Sequence, residues 1–251
     1  SQVENYLGQR YGVGIGPQSS MTGPFSINAG NFETAVKNLT FNGATARPTV
    51  DPVDNAPVMR LADSIGSQSG TMFLNRPMKF ANDMSFNTQF EVRLSAGVGT
   101  DCCGDPLGAD GMSFIIHADP RGAEAIGVGG GTMGYTGGTV GGQNKLMVEP
   151  SVVVELDTWH SGAYDPPSNT NLNGNHIGLN VSTARFSVAQ SAAGSIPPLN
   201  DGNTRNVWVD YDGATKLMSV FIATDATKPG TPAFTQQINL PKLFNSRDLY
   251  V

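Results

Sequence analysis

The run Ser151-Val-Val-Val-Glu-Leu-Asp-Thr158 constrains this chain more than any other feature. Consecutive β-branched residues fit a pleated, buried strand. Side chains alternate along a strand, so Val152, Val154 and Leu156 take one face and Val153, Glu155 and Asp157 the other. The Cα atoms of Glu155 and Asp157 then lie about 6.5–7 Å apart. Two carboxylates so placed in a half-buried strand repel, and each raises the other's pKa unless a cation sits between them. A loop with Asp165 and many asparagines follows, and a second apolar strand, Ile177 to Val181, begins directly behind His176. Carboxylates and loop oxygens suit calcium, and an imidazole suits a transition metal. The mixture predicts two adjacent ions sharing Asp157 and Asp165. The competing reading, solvated carboxylates on an exposed strand, conflicts with the apolar flanks.

The rest of the chain reads as all-β. Charged residues make up 14%, with 31 Gly and 16 Pro, a composition that suits short strands joined by turns. A length of 251 residues fits one large β-domain. Helical periodicity is nearly absent. The net charge of −6 argues against nucleic acid or an anionic membrane as partner. No run approaches the length of a membrane-spanning helix, and no signal-peptide pattern opens at Ser1, as expected of a mature or excised chain.

Residues 1–24 are Gly-rich and read as an extension ahead of a domain over 25–251. The glycine-dense stretch Gly127 to Gly142 has no Lys-Ser/Thr after it and no helix, which excludes a phosphate-cradling loop. Asp212-Gly213 signals a hairpin turn. Cys102 and Cys103 are adjacent; free thiols, a vicinal disulfide or bonds to another chain all fit. Asn38-Leu-Thr40 and Asn180-Val-Ser182 match glycosylation acceptors, a short pattern that is common by chance.

Several blocks together carry a resemblance. Glu155, Asp157, Thr158, Trp159, Asp165, Pro166, His176, Ile177 and Gly178 resemble the metal-binding strand and loop of the L-type (legume-type) lectins. Ala109 to His117 (ADGMSFIIH) resembles the family's ADG-x-x-F strand, and Gly127 to Tyr135 its GG-x-LG loop. Asn206 to Ala223 resembles its W-I-x-Y-D strand and hairpin. Leu39 to Thr45, Met59 to Ser64, Ser69 to Phe80 and Ser85 to Leu94 follow the family order in the N-terminal half. The chain is identified as an L-type lectin domain, a bacterial-like member. The resemblance implies a concanavalin-like antiparallel β-sandwich with jelly-roll order. It also implies a strand beyond Val251, so the sandwich is expected to lack its last strand and to leave an open edge for another copy or a strand from another chain.

The resemblance assigns roles. Glu155, Asp157, Trp159 (through its carbonyl), Ser161, Asp165 and His176 would hold Ca²⁺ and a second, Mn²⁺-type ion. Asp110 would accept hydrogen bonds from sugar hydroxyls, after a cis Ala109–Asp110 peptide. Gly129, Gly130 and Gly131 would bring a backbone N–H close to the sugar, and Trp159 would pack on its apolar face. Ser161 stands where the family has asparagine, so either Ser161 or a loop asparagine, Asn175 foremost, takes that place. The expected function is a calcium-dependent carbohydrate-binding lectin without catalysis, binding glycans as a secreted or cell-surface adhesion module. One competing reading is a structural or adhesive subunit that uses the sandwich as a brick. Another is a glycoside hydrolase with E-x-D-x-x-E, but His160 stands at its last position.

Overall fold

The computed structural model describes residues 32–43, 46–66, 68–80, 83–94, 108–140, 143–145, 147–160, 174–182, 187–245 and 248–251. The Gly-rich N-terminal stretch and the Cys102-Cys103 pair lie outside them.

Two four-stranded antiparallel sheets face each other. The first contains β7 (Gly111–His117), β10 (Ser151–Thr158), β11 (Asn175–Val181) and β12 (Ala189–Gln190), in the order β12-β11-β10-β7. The second contains β6 (Phe86–Val92), β13 (Arg205–Asp212), β14 (Leu217–Ala223) and β15 (Phe234–Gln237), in the order β15-β14-β13-β6. Val152, Val154, Leu156, Ile177 and Leu179 from the first meet Val207, Val209, Tyr211, Met218 and Val220 from the second in one continuous core. Alternation along each strand builds this interface, as in any two-sheet packing.

The outer face of the first sheet is covered as well. Phe73, Ala125, Tyr135 and Val148 pack over Ile115 and Val153. Phe73 comes from β4 (Thr71–Leu74), and the others come from the connections between β7 and β10. Every residue of β10 is therefore buried. Glu155 and Asp157 are buried as well, at 5% and 7% exposure, and the Tyr135 hydroxyl of this cover reaches Glu155.

The hairpin expected at Asp212-Gly213 joins β13 to β14, but its positive φ falls on Lys216 at 59°. Asp212 anchors the turn by accepting from the Ala214 N–H at 2.9 Å and the Thr215 hydroxyl at 2.8 Å. Gly213 is required for space, because a Cβ there would overlap the Met84 carbonyl oxygen. At the C-terminal edge, β16 (Asp248–Leu249) pairs with β5 (Met78–Lys79). Tyr250 bridges His117 of β7, and Val251 accepts from the Leu74 N–H at 2.9 Å.

Candidate functional site

The register of the first sheet determines which side chains share its outer face. Asp157 lies opposite Gly111 on one side and His176 on the other; Glu155 lies between Ser113 and Gly178. One row further in, Val153 is flanked by Ile115 and Asn180. The acidic end of the face thus meets an imidazole from the neighbouring strand and gives way to apolar packing within two residues.

Glu155, Asp157 and His176 are all buried, and each offers a ligand atom within 4.8 Å of the others. His176 Nε2 stands 3.6 Å from Glu155 Oε1. Asp157 Oδ1 accepts the Trp159 N–H at 2.8 Å, which turns the chain out of the strand just past Thr158. Glu155 takes three neutral donors: the Ser187 hydroxyl on Oε1 at 2.6 Å, the Tyr135 hydroxyl on Oε2 at 3.1 Å, and the Asn180 amide on Oε2. Burial, then the adjacent Glu155 charge, holds the Tyr135 phenol far above its ordinary value, so it remains a donor. Neutral donors hold a carboxylate in place without cancelling its charge. Two such carboxylates and an imidazole form a donor set that fits a divalent cation.

Asp110 lies beside this cluster. The Ala109–Asp110 peptide is cis. The Thr158 N–H, at the end of β10, donates to the Asp110 carbonyl at 3.0 Å, and the Thr158 hydroxyl donates to the Gly108 carbonyl at 2.6 Å. The Asp110 carboxyl is half-buried, and that burial raises its pKa. The glycine-rich loop borders it: a Cβ on Gly130 (φ 76°) would lie 3.9 Å from Asp110 Oδ2. Gly129 packs against Ser69, where a Cβ would come to 2.9 Å. The loop is closed by its own backbone, with Met133 N–H donating to Gly130 O at 2.7 Å and Gly134 N–H to Val128 O at 2.7 Å. Gly131 belongs to the same turn.

Six residues were expected at the metal. Glu155, Asp157 and His176 are brought together, Trp159 follows them half-buried at the strand end, and Ser161 and Asp165 lie outside the described residues. The Asn175 side chain is engaged elsewhere: its Oδ1 accepts the Leu199 N–H at 2.8 Å and its amide donates to the Pro197 carbonyl at 3.3 Å. Asn180, read as a glycosylation acceptor, is only 2% exposed, with its amide spent on Glu155 and Tyr135. It is closed to modification in the folded chain. Tyr135, Asn180 and Ser187 were not foreseen as partners of Glu155. Period-two counting from His176 would have flagged Asn180, since residues 176, 178 and 180 share a face; nothing local marks Tyr135.

The legume lectin domain family matches residues 25–251. The L-type lectin-domain containing receptor kinase VIII.1 of Arabidopsis thaliana is 27% identical over 180 residues, covering 71% of this chain and 23% of the kinase. The chain thus spans about a quarter of that relative's length. A peanut lectin structure with a 9mer peptide superposes with a TM-score of 0.59 at 24% identity, covering 85% of this chain and 81% of the lectin. A Bauhinia forficata lectin in complex with GalNAc gives 0.59 at 21% identity, covering 86% and 83%. These likenesses carry the sandwich fold. All three proteins come from plants, and the bacterial-like character expected from the sequence finds no support in them.

Proposed function

The chain belongs to the legume lectin domain family, and from that footing we propose that it is a metal-dependent carbohydrate-binding module without catalysis. One observation carries the reading. The buried Glu155–Asp157–His176 cluster ends at Thr158, and Thr158 holds the Asp110 backbone beside a glycine-bordered surface. A divalent cation held by these three side chains would neutralise the paired carboxylates and stiffen the strand end that positions Asp110. Ca²⁺, with a second Mn²⁺-type ion, is the pair we propose, with Trp159, Ser161 and Asp165 completing the ligand set. Asp110 then accepts from sugar hydroxyls while the Gly129–Gly131 backbone approaches closely and the Trp159 ring supplies apolar contact. The GalNAc bound by the Bauhinia lectin supports a sugar as the ligand class. A secreted or cell-surface location belongs to the same proposal.

The reaction geometry of a hydrolase finds no counterpart at Glu155 and Asp157. They are buried, 5% and 7% exposed, and Glu155 is occupied by the Tyr135, Asn180 and Ser187 donors, so no glycosidic bond could be flanked by both. Contact with one sugar on a shallow site gives about millimolar affinity, and repeated copies would raise it by avidity. A glycan-array screen with Ca²⁺ and Mn²⁺ tests the reading. Binding that disappears after EDTA and in Asp110→Ala, with the fold retained by circular dichroism, is expected. Binding that survives both would overturn it.

A further inference from the structure

The Tyr135 hydroxyl is buried, comes from the glycine-rich loop, and donates to Glu155 Oε2 at 3.1 Å. Asn180 Nδ2 lies 2.5 Å from the Tyr135 oxygen and also reaches Glu155 Oε2, so tyrosine, asparagine and carboxylate close a three-membered hydrogen-bonded set. Both donors act on Oε2. The other oxygen, Oε1, accepts the Ser187 hydroxyl at 2.6 Å and faces His176 Nε2 at 3.6 Å. With Oε2 held by two donors, rotation about the last side-chain torsion of Glu155 is blocked, and the two carboxylate oxygens become inequivalent. Tyr135 is itself fixed by the loop: its N–H donates to Thr132 O at 3.1 Å and its carbonyl accepts from Val148 N–H at 2.8 Å. The loop that borders Asp110 and the strand that carries Glu155 therefore share one buried network.

We propose that Tyr135 and Asn180 are positioning residues that lock Glu155 with Oε1 presented to a cation shared with Asp157 and His176. The inference rests on the metal-binding reading above. Neither residue ligates the ion. They pre-orient the carboxylate that does, and losing a residue of this kind typically weakens metal binding by about 10–100-fold. A phenylalanine at position 135 keeps the ring that packs with Phe73, Ala125 and Val148 and deletes only the hydroxyl.

The test is a titration of metal-stripped protein with Mn²⁺ alone, following the loss of the free Mn²⁺ EPR signal, for the parent, Tyr135→Phe and Asn180→Ala. All are read well below their melting temperatures, so that a purely structural loss leaves the Mn²⁺ Kd of the folded protein unmoved. The expected result is a Kd raised about tenfold or more in each folded variant, with a changed spectrum of the bound ion. If one variant does not fold, the other decides. Parent binding with an unchanged Kd and spectrum in the folded variants would overturn the positioning role and leave the metal site standing. No Mn²⁺ binding by the parent would overturn both.

Discussion

Gly178 is the position where one methyl group should do most to the site. It faces Glu155 across the β10–β11 pair. A Cβ built there would overlap Glu155 Oε1 and the Ser187 hydroxyl, and would sit 3.1 Å from the Glu155 carboxyl carbon. Gly178 needs no unusual φ, so Gly178→Ala tests space alone. Both neighbours are side-chain ends, but Glu155 is buried and held on both oxygens, so it cannot swing aside without leaving its donors. Overpacking a filled interior costs about 1–3 kcal/mol, which lowers Tm by about 2–4 °C per kcal/mol in a domain of this size. Gly230→Ala is the matched control, because nothing lies within 4 Å of a Cβ there. That exposed change should stay within about 0.5 kcal/mol of the parent. Differential scanning calorimetry of the two variants in EDTA gives the comparison. If Gly178→Ala melts with Gly230→Ala, the packing described around Glu155 is wrong.

Two further outcomes are expected. His117 is fully buried, edge-on to Phe73 at 4.5 Å and stacked on Tyr250 at 5.6 Å, and its Nδ1 accepts the Asp119 N–H at 3.1 Å. Burial pushes its pKa down from 6.5 to about 4, opposed by the Asp119 charge and assisted by Arg121. Below pH 6.5 the unfolded chain takes up a proton that the folded chain refuses until about pH 4, so stability falls with pH across that window, by on the order of 3 kcal/mol in total. Urea melts between pH 4 and 7 should show this slope in the parent and a flatter one in His117→Gln; parallel slopes would contradict the assignment. Asn175→Ala should cost about 1–3 kcal/mol by leaving the Leu199 N–H without its acceptor. Loss of glycan binding with no change in melting would instead place Asn175 at the sugar.

Strand alternation in Ser151–Thr158 was readable because the two faces carry different chemistry, valine and leucine against valine and two acids. The same rule places His176 beside Asp157, since the strands pair directly. The burial of both faces was not readable. It depends on Phe73, Ala125 and Tyr135, which are distant from β10 in sequence and meet it only after the chain folds. Tyr135 carries no sequence signal for that reason: in a glycine-rich run it has no periodicity, and its partner is 20 positions away. Asn175 was expected at the site because it precedes His176. Its side chain turns toward the 197–199 backbone, a contact no local pattern announces. The hairpin at Asp212 was placed correctly, yet its left-handed residue is Lys216, because Gly213 is needed where Met84 crowds it.

If Glu155, Asp157 and His176 hold a cation, that cation stabilises the fold. Elemental analysis of the purified chain, paired with thermal melting before and after EDTA, tests it most directly. Bound divalent metal is expected, with a Tm that falls on stripping and returns with Ca²⁺ and Mn²⁺. A site filled at 100 times its Kd would contribute about 2.7 kcal/mol. A chain without metal, melting at the same temperature with or without EDTA and added ions, would contradict it.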